Sequence, residues 1–172
     1  MHNILLLDGF SPTKNQRTSC QLYHDYLQQQ APSLHIQSQP LTMQSHQLMT
    51  ADHDCIVISG HGLFEAGKHY IQTAHGCLDL QYLFNQSDVN LHQCVIIVDA
   101  CYLGQELERL HQCSDALAMV GFEYLVEATA VTSCVLLLLK TLLNDLPLTQ
   151  FEQNQPVLSQ GLGLCMALKA HH

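Results

Sequence analysis

Three short stretches, "NILLLDG" (3–9), "DCIVISG" (54–60) and "CVIIVDA" (94–100), are almost wholly apolar and stop at a turn signal or an acidic residue. A strand with one face in water alternates apolar and polar residues. These do not alternate, so each must be covered on both faces. "LAMVGFEYLV" (117–126) has the same character, and the alternating "LHIQSQPL" predicts a further strand. Between the strands lie helical patterns. Leu22, Tyr23, Tyr26 and Leu27 recur at helical spacing within 11–32 and stop at Pro32. "DLQYLFNQ", "GQELERLHQC" and "VTSCVLLLLKTLLND" predict three more helices, the last ending near Asn144 and Pro147. Residues 157–169, "VLSQGLGLCMALK", are read as a final helix, weakened by Gly161 and Gly163. Buried strands alternating with helices predict an α/β fold whose mainly parallel sheet, of about five to six strands, carries helices on both faces.

The chain has 172 residues, and no linker-like stretch divides it, so one domain over 1–172 is expected. With a net charge of -9 and six Lys and Arg, no basic face can be assembled and no nucleic-acid partner is expected. The eight cysteines form no Cys-x-x-Cys pair, and "MHNILLLDGF" lacks the charged start of a signal peptide. Reduced thiols in a cytoplasmic protein are the expectation. The apolar run 131–143 contains Lys140 and is too short for a span, so no membrane is expected. The histidines show no close ligand pairs, and "HDC" (53–55) and "HGC" (75–77) stand isolated, so neither metal nor other cofactor is expected. His171 and His172 are read as a purification-tag remnant. "DGFSPTKNQRTS" lacks the glycines and Gly-Lys-Ser/Thr ending of a phosphate loop, and no Gly-x-Ser-x-Gly elbow occurs.

In parallel sheets, ligands gather at the carboxyl ends of the strands. Asp8, His61 and Cys101 all fall at or just past such an end. A cysteine attacks as its thiolate, which a histidine on a neighbouring strand end can generate. His61 lies between Gly60 and Gly62, where the missing side chains permit a sharp turn and close approach of a substrate carbonyl. The amides of Gly62 and Cys101 are candidates for an oxyanion hole, in which each donor contributes about 3 kcal/mol to the transition state. Taken singly, a cysteine or histidine at a strand end is more often structural. The ordered pair, apolar strand to Gly-His-Gly and apolar strand to Asp-Ala-Cys, is more specific.

"VISGHG" followed by "VIIVDACYLG" resembles the histidine and cysteine motifs of the caspase-like peptidases: caspases, metacaspases, legumains, gingipains and CHAT-domain proteases. The similarity runs loosely from "NILLLDG" through "GCLDLQYLF" to "GLGLCMALKA". It implies a caspase-like three-layer α/β/α sandwich and a cytoplasmic cysteine endopeptidase, similar to bacterial CHAT or metacaspase-like domains, acting on a protein or peptide substrate. It also implies His61 and Cys101 as a catalytic dyad and Gly62 as oxyanion donor. In metacaspases an acidic residue after the first strand and another two places before the cysteine bind a basic P1 residue; Asp8 and Asp99 stand at those positions. The same two carboxylates can instead cap the turns that follow them. Only about a dozen residues separate the Cys101 loop from the fifth strand, so activation by cleavage of a linker is not expected. "EATAVTS" lacks the Trp and aspartate pattern common in CHAT domains. Two other readings stay open: a catalytically silent caspase-like adaptor that binds a regulatory protein partner, and a flavodoxin-like domain for a small ligand.

Overall fold

The computed structural model describes residues 1–10, 17–86, 90–124, 127–155 and 160–169. Four continuous apolar runs form the centre of a six-stranded sheet: β1 (Asn3–Asp8), β3 (Cys55–Ser59), β7 (Val95–Asp99) and β8 (Ala118–Phe122). β2 (His35–Pro40) and β9 (Leu164–Leu168) flank them in the order β2-β1-β3-β7-β8-β9. All pairings are parallel except β8 with β9. The expected α/β class and mainly parallel sheet are observed.

Alternation along the strands divides the core in two. Leu5, Leu7, Ile56, Ile58, Ile96 and Val98 face α2 (Leu80–Phe84) and α3 (Leu107–Ser114). Ile4, Leu6, Val57, Ile97, Val120 and Phe122 face α1 (Ser19–Gln30), α4 (Ala128–Leu143) and α5 (Leu148–Asn154). Helices therefore cover both faces, giving the three-layer sandwich. α1 starts at a capping box: the Thr18 hydroxyl accepts from the Gln21 amide, and the Gln21 side chain accepts from the Thr18 amide.

Two differences from the sequence reading matter. Of the segment read as a closing helix, Gln160 and Gly161 are helical, Leu162 and Gly163 form a turn, and Leu164–Leu168 is strand β9, antiparallel to β8. Gly163, at φ +58, suits a turn into a strand better than a helix interior. Residues 157–159 of that predicted helix, 11–16 of the first helix and 125–126 of the fifth strand lie outside the described residues. The second difference is a separate antiparallel sheet, β4 (His61–Glu65), β5 (Lys68–Thr73) and β6 (Gly76–Asp79), between the third strand and α2. Ala66 and Gly67 turn β4 into β5, both at positive φ, the geometry of a two-residue hairpin loop.

Candidate active site

Asp8, Ser59 and Asp99 are in register across β1, β3 and β7 and close the sheet's carboxyl edge in one row. They occupy the same alternation phase as Leu6, Val57 and Ile97, so they point toward α1. Asp99 is buried, and one of its oxygens accepts from the Tyr23 hydroxyl at 2.6 Å and the Ser59 hydroxyl at 2.7 Å. Burial pushes its carboxyl above the usual range, against the pull of these hydroxyls. Asp8 is half-buried; it accepts from the Phe10 amide at 3.0 Å and from the Thr18 hydroxyl at 2.5 Å. Asp8 thus does cap its turn and also ties down the start of α1. It lines, with Gly9, Phe10, Leu41, Asp25 and His75, a cavity of about 510 Å³ beside the rim; Asp99 does not line it.

Past the row, the chain continues the ladder. Gly9 N–H donates to Ser59 O at 2.7 Å, and Gly60 N–H donates to Asp99 O at 3.1 Å. His61 then opens β4, exposed, with its ring edge-on to Phe10 at 4.7 Å between centroids and 84° between planes. Cys101 lies two residues beyond β7, half-buried, followed by Tyr102 at φ +66 and a single 3₁₀ turn, Leu103–Gln105. Leu103 is buried against Gly121 of β8, where any side chain would overlap it.

The two motifs meet through their main chains. A Cβ built on Gly62 would lie 2.1 Å from the Cys101 carbonyl oxygen and 2.7 Å from its nitrogen. Only glycine allows that approach, because contacts under 3.0 Å with backbone do not occur. Gly60 serves likewise: an added Cβ would lie 2.5 Å from an Ile71 methyl. The glycines that flank His61 therefore seat the small sheet against the rim.

Three residues that sequence reasoning missed complete the seat. The His69 Nε2–H donates to the Cys101 carbonyl at 2.8 Å. Its backbone amide donates to Glu106 at 3.0 Å, and Glu106 also pairs with Arg109, which reaches the Gly67 carbonyl at 3.4 Å. His69 and Glu106 are buried. Burial pushes the His69 imidazole below its usual value, opposed by the Cys101 carbonyl and the charges of Glu106 and Asp79. The alternation in "KHYIQT", with His69 and Ile71 on one face, is the signal that marks His69 as inward-facing.

The thiols differ in kind. Cys20, Cys55, Cys94 and Cys134 are buried and their pKa values raised chiefly by desolvation, to about 12 for Cys94 and Cys134. Such thiols stay protonated and inert. Cys101 is instead half-buried at the rim. Among the described residues no group of three or more His, Cys, Asp or Glu is arranged to hold a metal ion, and no helix is long and apolar enough to cross a membrane.

No family model and no curated protein matches the chain. Among solved structures it is similar to the Drosophila initiator caspase Dronc, at 12% identity and a TM-score of 0.43, over 77% of this chain. The chain spans 63% of that caspase's length.

Proposed function

We propose that this chain is a caspase-like cysteine endopeptidase with His61 and Cys101 as its dyad. The observation that carries the reading is the main-chain contact between Gly62 and Cys101, which sets the Gly-His-Gly and Asp-Ala-Cys motifs side by side at the sheet's carboxyl edge. In the proposed reaction the Cys101 thiolate attacks the scissile carbonyl and forms a tetrahedral oxyanion held by the amides of Gly62 and Cys101. Collapse breaks the C–N bond, His61 gives its proton to the leaving amine, and water then hydrolyses the thioester. The accessible position of Cys101, against four buried thiols pushed toward the protonated form, supports its choice as nucleophile.

A basic P1 residue is the proposed preference. Asp8 lines the cavity beside the rim and is the carboxylate that would meet a cationic side chain. Asp99 stands in the same row, two residues before the nucleophile. A positional-scanning peptide library, run with wild type and Cys101→Ala in parallel, tests both parts. Cleavage after Arg or Lys that vanishes in Cys101→Ala is the expected result. Cleavage after Asp overturns the pocket, and the absence of any Cys101-dependent cleavage favours the adaptor reading.

A further inference from the structure

We propose that His69 is a positioning residue for the nucleophile: as the neutral Nε2–H tautomer it pins the Cys101 carbonyl against Gly62 and thereby sets the main chain from which the thiol and the Cys101 amide project. The role of the thiol as nucleophile rests on the peptidase reading above; the pinning does not. A carbonyl oxygen only accepts, so the 2.8 Å contact requires the proton on Nε2. Nδ1 is then a bare acceptor, and it is buried with no hydrogen-bond partner among the described residues. A buried histidine that leaves one nitrogen unsatisfied gains nothing at that end. Its retained interaction is the one to Cys101.

The surroundings support a rigid setting. Glu106 holds the His69 amide and is itself held by Arg109, so α3 clamps the hairpin at the point from which the imidazole projects. The carbonyl therefore sits between a glycine that only just admits it and a donor that cannot move away. The next residue, Tyr102, is at φ +66, so the peptide that carries the Cys101 carbonyl is held in an orientation that non-glycine residues seldom adopt. The charges of Glu106 and Asp79 act on the imidazole and favour its protonated form, against its burial.

The test compares wild type, His69→Met and His69→Gln, whose amide nitrogen can keep the donor near the Nε2 position. Long-range nitrogen–proton NMR of wild type reads the tautomer directly and needs no variant. Iodoacetamide alkylation of Cys101, mapped by mass with exposed Cys77 as the internal reference, reads the thiol without a substrate. Expected are an Nε2–H neutral ring, about tenfold slower Cys101 alkylation in His69→Met with Cys77 unchanged, and a rate near wild type in His69→Gln. In peptide hydrolysis, kcat should fall by up to about 100-fold in His69→Met, with little change in KM and recovery in His69→Gln. An Nδ1–H tautomer, or wild-type Cys101 alkylation in His69→Met, overturns the proposal. A wild type that shows the tautomer and the alkylation difference but hydrolyses no peptide leaves the positioning intact and sinks the peptidase reading.

Discussion

Every residue of β3, β7 and β8 is buried, whereas in β4 only Gly62 is, and β5 and β6 add only His69, Ile71 and Leu78. The large sheet is held by two apolar layers and carries Cys101 at its edge. The small sheet carries His61 and is held by two aliphatic side chains, two close-approach glycines and a polar clamp. The candidate site thus joins a rigid partner to one that local contacts must seat. Residues outside the dyad, Gly62, His69 and Glu106, make the contacts through which the two halves meet.

Substitutions can separate the two regions. Ile97→Ala, in the layer beneath α4, should cost about 4 kcal/mol in urea unfolding, because it opens a cavity between packed layers. It should lower the midpoint for the whole chain. Gly62→Ala should cost about 3 kcal/mol, since the new methyl meets main chain that cannot step aside. Here hydrogen exchange should show protection lost first in 61–79, with Cys101-dependent activity abolished. Glu106→Ala strands the buried His69 amide and should cost about 2 kcal/mol, again with exchange rising in the hairpin and not in β1, β3 or β7. Ala66→Gly relieves a non-glycine residue at φ +50 and should stabilise the hairpin by about 1 kcal/mol. If all four perturb both sheets equally, the small sheet is no separate unit.

The smallest effect is one of pH. His69 titrates below its usual value in the folded protein, so the unfolded chain binds the proton more readily. Its contribution is complete above about pH 6.5 and is lost as pH falls below that toward the lowered folded value. The decline should be shallower in His69→Gln, measured as the difference in urea midpoint across that window. Equal slopes in both proteins would remove His69 as its source.

The same contrast explains what the sequence revealed. "CIVIS" and "VIIVD" announce strands because two covered faces demand unbroken apolar runs, and the strand ends then place Asp8, His61 and Cys101 at one edge. The hairpin that seats His61 was illegible: "HGLFE" and "GCLD" bury one residue each, too few for a period, and its turn is Ala-Gly where Asn-Gly would have signalled a loop. "LCMAL" contains good helix formers, and only pairing along β8 makes it a strand. The glycines beside His61 were legible as a feature but not in purpose. In the sequence their missing side chains read as room for a substrate, whereas in the fold they admit Ile71 and the Cys101 main chain. The sequence also left Asp8 and Asp99 equivalent. Packing distinguishes them, because Tyr23 and Ser59 enclose Asp99 while Asp8 keeps an open side on the cavity.

The most direct measurement of the central claim is active-site labelling with a peptidyl acyloxymethyl ketone carrying Arg next to the warhead, mapped by mass in wild type and His61→Ala. Label on Cys101 alone is expected, slowed about 100-fold or more in His61→Ala. Label distributed over Cys77 and Cys113 as readily as Cys101, or Cys101 labelled equally fast without His61, would contradict it.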